Sequence, residues 1–218
     1  MNVYFISGLA ADSRVFKHIR LPEGYEIIHL NWITPLHNES LTDYALRLAQ
    51  KIDTSKKFAL VGLSMGGMIA TEIAKKYKPA ACILLCSVPT HTQMPAHFKW
   101  AYFLRLHKLM PVAILKKVSM LKRGFAPDNK TDQQLLKQVI KDSDPAFIRW
   151  AMHAILSWKN EIIPQPLWHI HGSKDGILPI RYTQPTHTVA GGNHLMIMSE
   201  SKGINEFLKQ VLPAIVQS

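Results

Sequence analysis

Across residues 1–90, short uninterrupted apolar runs alternate with segments of helical periodicity. Asn2–Ile6, Tyr25–Leu30, Phe58–Val61 and Ala81–Val88 read as strands, each bounded by turn-forming residues. Between them, Leu41, Tyr44, Ala45, Leu48 and Ile52 form a helical stripe behind Ser40-Leu41-Thr42-Asp43, an N-cap with an acid in the first turn. Met68, Ile69 and Ile73 mark another helix, reaching about Tyr77, and Arg14-Val15-Phe16 a short one. Such alternation predicts an α/β protein with a mostly parallel central sheet flanked by helices and right-handed crossovers.

From 91 to 160 the pattern is helical only. Helices are expected at Ala96–Leu109, Val112–Leu121, Thr131–Lys141 and Pro145–Trp158, the third opened by a Thr131/Gln134 capping box and the fourth by Asp144 before Pro145. Strand-like segments resume at Pro166–His171 and Thr186–Ala190, and a helix over Ile204–Val216, interrupted or shifted at Pro213, closes the chain. The division is thus a core of residues 1–90 and 161–218 with a helical insertion at 91–160, without internal repeats.

With 218 residues, 47% of them hydrophobic and 19% charged, the composition is that of a globular chain and excludes disorder. The longest apolar run, Ala80–Val88, is far short of the roughly 20 residues of a membrane span, so no stable membrane insertion is expected. The first ten residues lack the basic start of a signal peptide. Cys82 and Cys86 share one predicted strand, where roughly 13 Å would separate them, too far for a disulfide. They read as free thiols of a reducing, cytoplasmic setting, with no further ligands to suggest a metal.

The net charge of +11 raises the question of an anionic partner. Residues 91–160 hold twelve basic and four acidic side chains, so +8 of that charge sits in the predicted helices. No nucleic-acid-binding motif accompanies them, and a solvated basic face is the expectation, with a preference for anionic substrates or surfaces left open. Oligomeric state is not legible.

Candidate chemistry centres on Gly62-Leu63-Ser64-Met65-Gly66-Gly67. An apolar strand precedes it and a helix follows, the setting in which G-x-S-x-G is a nucleophile elbow rather than a glycine-rich turn with an idle serine. Gly62 and Gly66 fit a turn too tight for a side chain, and the helix N-terminus after Ser64 offers free amides beside a developing oxyanion. Serine needs a base, and among eleven histidines His194 stands out in Gly191-Gly192-Asn193-His194, between a predicted strand and the last helix. Asp175, in His171-Gly172-Ser173-Lys174-Asp175, is the matching carboxylate after another strand. Singly, Asp175 reads as a turn residue and His194 as a loop histidine; jointly, Ser64, Asp175 and His194 arrive at strand ends in the order of a hydrolase triad.

FISGLAADSRVF, VGLSMGGMIA, HGSKDGILP and GGNHLMIM together resemble the α/β-hydrolase superfamily, in particular its small, esterase-like members with a helical cap, over nearly the whole chain. The resemblance implies Ser64 as nucleophile, His194 as base and Asp175 as its orienter, with the backbone N–H groups of Leu9 and Met65 as the oxyanion hole. Ser7-Gly8 stands where relatives usually show His-Gly, which alters the support of that loop but not its amides. It further implies a cap at 91–160, and a sheet of about six strands that starts at the family's third. No cofactor and no metal are implied.

The expected activity is cleavage of a carboxylic ester, or a thioester, of a small or medium apolar substrate through an acyl-enzyme. A lyase or C–C hydrolase with the same triad, or a non-enzymatic ligand-binding member, are the alternatives. Leu195 stands where plant hydroxynitrile lyases carry lysine, and Ser64 excludes the aspartate elbow of haloalkane dehalogenases. Phe98, Trp100, Tyr102, Trp150, Trp158 and Leu195 are candidate pocket residues, although helical aromatics equally serve as core. His169 and His171, alternating along a strand, read as structural, with His171 a candidate support for the acid loop.

Overall fold

The computed structural model describes residues 1–98 and 129–217. Six parallel strands, β1 (Asn2–Ile6), β2 (Glu26–His29), β3 (Phe58–Leu63), β4 (Ala81–Leu85), β5 (Leu167–Gly172) and β6 (His187–Val189), lie in the order β2-β1-β3-β4-β5-β6. The inner strands read as continuous apolar runs because both faces are covered. Tyr4, Ile6, Leu60, Cys82 and Leu84 join one core cluster with α1 (Leu41–Leu48) and α2 (Met65–Tyr77). Val3, Phe5, Ala59, Val61, Ile83 and Leu85 join the other, with the 3-10 turn at Ser13–Phe16 and the last helix.

Strand order reverses direction between β1 and β3: β1 leads outward to β2, whereas β3 lies on its other side and leads on to β4. The crevice at such a switch point, beyond the carboxyl ends of the strands, is where open α/β sheets bind ligands. Ile6 pairs with Gly62 at this edge, which places the loops after β1 and β3 side by side.

Helix starts follow the side chains that satisfy their first amides. Ser40 accepts from the Asp43 amide at 3.1 Å, and Asp144 from that of Ala146 at 2.9 Å. The helix expected at Thr131 instead begins one residue earlier, as α3 (Lys130–Asp142). Its cap is Asn129, which accepts from the Asp132 amide at 2.7 Å and donates to the Asp132 carboxylate at 2.6 Å, a reciprocal pair that displaces the Thr131/Gln134 box. β4 stops at Leu85, three residues before the apolar run ends, because Cys86 turns into the left-handed region at φ 45°. After α4 (Pro145–Ser157) and a short α5 (Met196–Ser199), α6 (Ser201–Gln217) runs through Pro213 without a break, held by the buried Leu212 and Ile215. Cys82 and Cys86 are both buried and free. The helices expected at 96–109 and 112–121 fall, from residue 99 on, outside the described residues.

Of the predicted insertion, α3 packs Leu136, Val139 and Ile140 into the cluster that holds Leu195, while α4 packs Phe147, Ala151 and Ala154 into the cluster that holds α2. Among the described residues, no helix is long and apolar enough to cross a membrane.

Candidate active site

Ser64 joins β3 to α2 with φ 53° and ψ −120°, a conformation unfavourable for an L-residue that persists only when its surroundings enforce it. Three hydrogen bonds do so: the Ser64 amide donates to Leu85 O at 2.9 Å, and Ser64 O accepts from the Gly67 amide at 2.9 Å and from Ser87 Oγ at 2.6 Å. The glycines supply the space. A Cβ on Gly62 would strike the Gly66 carbonyl, and one on Gly66 would strike the carbonyls of Ile6 and Ser7.

His194 stands over this corner, 4% exposed, with Nε2 2.9 Å from Ser64 Oγ and Nδ1 2.7 Å from Asp175 Oδ2. A carboxylate only accepts, so Nδ1 carries the proton and Nε2 is left to accept from the serine hydroxyl. The other Asp175 oxygen accepts from the amides of Ile177 and Leu178 at 2.8 and 2.9 Å, so both oxygens are engaged. Burial would raise the Asp175 carboxyl, but the charge and hydrogen bond of His194 and the two amides outweigh it and hold the group below the usual carboxylate range. The loops carrying Asp175 and His194 are zipped together, Ser173 donating its amide to Val189 O at 3.0 Å and Lys174 its own to Gly192 O at 2.9 Å. Gly172 permits this approach, since a Cβ there would strike Gly192 O.

Met65 is the first residue of α2, so its amide has no intrahelical acceptor. The loop after β1 comes so near that a Cβ on Gly8 would sit 3.3 Å from Ser64 Cβ. Cys86, Asp175 and His194 bring one potential ligand atom each within 4.8 Å of one another, the only such metal-ligating set among the described residues. Burial first, and then Asp175 nearby, push the Cys86 thiol well up, and the facing Asp175 and His194 atoms already bond each other, so the set is poorly suited to an ion.

A cavity of about 40 Å3 opens over Ser64 and His194, lined by Gly8, Leu9, Ala10, Ala11, Leu63, Leu136, Ile140 and Leu195. Of the pocket residues expected from sequence, Leu195 is here. Trp150 packs instead on Tyr44, 4.3 Å between ring centroids, and donates to Glu39 O, whereas Trp158 is buried and donates to Glu72 Oε1 at 2.8 Å. Both serve the core that α4 builds, and Phe98 packs against the same cluster. Trp100 and Tyr102 lie outside the described residues. A surface cleft of about 270 Å3 on the far side of Ala10 and Ala11 is bordered by neither Ser64 nor His194.

Leu136 and Ile140, not singled out in the sequence, are placed by α3 in the wall of the cavity over the serine. Polar contacts hold α3 to the segment that follows the Gly8–Ala11 loop: the buried Asp132 pairs with Lys17 and hydrogen-bonds to His18 at 2.9 Å, and Asp142 pairs with Arg14 at 2.9 Å. Burial alone would raise the Asp132 carboxyl, but hydrogen bonds from Lys17, Asn129 and His18 keep it below the usual range. Asp132→Asn is expected to cost about 1–3 kcal/mol at pH 7. A depressed carboxyl stabilises the fold above its unfolded pKa and loses that contribution as pH falls through its folded one, so the deficit, read from urea midpoints, should shrink below about pH 4.

A thermophilic esterase from Thermogutta terrifontis has the same fold, with a TM-score of 0.75 at 17% identity over 99% of this chain and 90% of its own. An esterase from Exiguobacterium antarcticum gives 0.76 at 18% over 100% and 92%, and a bromoperoxidase from Bacillus anthracis 0.72 at 18% over 100% and 92%. At these identities the likeness is one of fold. No curated protein matches the sequence. A model of the alpha/beta hydrolase family matches residues 3–207, nearly the whole chain, and with the parallel sheet and the strand–serine–helix corner at its switch point, the chain belongs to the α/β-hydrolase family.

Proposed function

We propose that the protein is a serine hydrolase that cleaves a carboxylic ester through an acyl-enzyme. The observation that carries this reading is the chain of hydrogen bonds from Ser64 through His194 to Asp175, at 2.9 and 2.7 Å, ending on a serine whose strained backbone presents it at the sheet's switch point. Ser64 Oγ attacks the ester carbonyl as its proton passes to His194 Nε2, and the imidazolium is stabilised by Asp175. The amides of Leu9 and Met65 hold the oxyanion. Collapse breaks the C–O bond, and the leaving alkoxide takes the proton from Nε2. Water then attacks the acyl-enzyme with His194 again as base, releasing the acid and restoring the Ser64 hydroxyl.

The predicted insertion at 91–160 acts as a cap in this reading, in whose described part Leu136 and Ile140 of α3 line the cavity over Ser64. The partner is a small-molecule ester rather than a nucleic acid, and two buried free thiols fit a cytoplasmic setting. Apolar walls favour an aliphatic acyl group, and a cavity of about 40 Å3, small beside the roughly 300–1,000 Å3 of ordinary ligand pockets, favours a short one.

Treatment with a fluorophosphonate should label Ser64, and nitrophenyl acetate and butyrate should be hydrolysed faster than the octanoate. Leu136→Ala, by widening the cavity, should raise the octanoate-to-acetate ratio of kcat/KM by about tenfold. Absence of both labelling and turnover would refute the hydrolase reading, and a flat chain-length profile would refute the short acyl group.

A further inference from the structure

Next to Asp175, two histidines of β5 point the same way from the strand. His169 and His171 are 1% and 0% exposed. His171 Nε2 lies 2.7 Å from Leu178 O and 3.4 Å from Asp175 Oδ2, and its Nδ1 lies 3.0 Å from His169 Nε2. Leu178 O can only accept, so His171 carries its proton on Nε2. In a neutral ring Nδ1 then accepts, and the donor facing it is His169 Nε2–H. Burial first, and then His171 nearby, push His169 down to about 3, and burial likewise lowers His171, both of which favour the uncharged ring.

The direction of the bonds running from His169 to Leu178 is thereby set, while His169 Nδ1 lies buried near the Ser87 backbone without a hydrogen-bond partner among the described residues. His169 donates to His171, and His171 donates to the carbonyl of Leu178, whose own amide donates to Asp175 Oδ1 at 2.9 Å. The 175–178 turn is clamped from both ends, and the His171 nitrogen that bonds Leu178 O lies 3.4 Å from the same carboxylate oxygen that receives His194 Nδ1–H. The reversed tautomer would set an imidazole lone pair against both Leu178 O and Asp175 Oδ2. Leu178 O at 2.7 Å disfavours it from one side, and a donor on His169 disfavours it from the other.

We infer that His171 is a positioning residue for the acid, its tautomer set by Leu178 O and backed by His169, so that a two-histidine relay holds Asp175 for His194. The inference rests on the hydrolase reading above. The ionisable groups facing His171 are His169 on its own strand, Asp175 and His194 from the two loops, and, beside those two, Cys86 at the end of β4.

Losing the His171 N–H leaves the Asp175 carboxylate less satisfied and therefore a stronger partner for the imidazolium. His171→Leu should lower kcat on nitrophenyl acetate by about tenfold with KM nearly unchanged, and move the acid limb of kcat/KM to higher pH. His171→Gln, whose amide nitrogen can replace Nε2, should restore both. An unmoved acid limb in a less stable His171→Leu variant, or a glutamine that fails to restore it, would reduce His171 to a core residue. A measurement on the unaltered protein keeps the inference testable should the leucine variant not fold. In nitrogen NMR, both histidines should show the neutral Nε2–H tautomer from pH 5 to 8, and a Nδ1–H tautomer or a titration at either one overturns the relay. Fluorophosphonate labelling of Ser64 separates the two levels: its absence defeats the hydrolase reading and this role with it, while labelling with an unmoved limb defeats this role alone.

Discussion

Ser64→Ala and His194→Ala should each reduce kcat on nitrophenyl acetate by about 10⁴ to 10⁶-fold, and the double variant should be little worse than either. The equality follows from the geometry. In the proposed mechanism, with His194 Nε2 2.9 Å from Ser64 Oγ, the hydroxyl acts as a nucleophile only while the imidazole can take its proton, and the imidazole has no other use without the hydroxyl. What remains in all three variants is binding and the two amides proposed for the oxyanion. Asp175→Asn should lose slightly less, about 10³ to 10⁴-fold, because an amide nitrogen facing His194 Nδ1 favours the tautomer that protonates Nε2, the wrong partner for a serine hydroxyl. The rate of Ser64 phosphonylation by a fluorophosphonate, with loss of fluoride, followed alongside steady-state ester hydrolysis, would test this. Comparable turnover in Ser64→Ala and wild type would remove Ser64 from the mechanism.

Gly66→Ala should give the largest stability loss outside the core, more than about 3 kcal/mol, or roughly 10 °C in Tm for a chain of this size. The cause is not backbone freedom but contact. A methyl at Gly66 meets the carbonyls of Ile6 and Ser7, so α2 and the end of β1 must separate. Both meeting parts are backbone, which cannot rotate away as a side chain can. The displaced segment leads directly into Gly8 and Leu9, so the activity remaining in the folded fraction should fall as well. Gly203→Ala is the control. Nothing lies within 4 Å of a Cβ there, the position is helical, and the change should stabilise by about 0.5–1 kcal/mol. Equal Tm values for Gly66→Ala and wild type would mean that the corner is looser than described.

Local regularities made much of this fold legible. Strand and helix types follow from periodicity, which any segment carries in itself, and the elbow is legible because a steric requirement at Gly62 and Gly66 is written as residue identity. The positions of Asp175 and His194 were legible as loop residues after strands, since in a parallel sheet all carboxyl ends face one side and such loops must share an edge. Boundaries were less so. Whether Asn129 or Thr131 caps α3 depends on which side chain reaches the free amides first, and β4 gives way at Cys86 only where Ser64 and Ser87 claim the backbone.

Only the tertiary structure decided what surrounds the serine. Trp150 and Trp158 carry the same apolar signal as Leu136 and Ile140, yet the first pair is spent on Tyr44 and Glu72 and the second overlooks Ser64. Periodicity reports that a face is buried, not against what. The direction in which α3 faces is set by Lys17, His18 and Arg14, more than a hundred residues away in sequence. The two histidines of β5 show the same limit from the other side. Their alternation placed them on one face of a strand, but which nitrogen holds each proton follows from a single carbonyl, Leu178 O, that the chain brings back beneath them. The sequence by itself determined a parallel sheet, a serine at its switch point and the two loops that answer it. Which side chains wall the site and how its protons are ordered came from contacts between distant segments, because those depend on the packing of whole elements rather than on the order of residues within one.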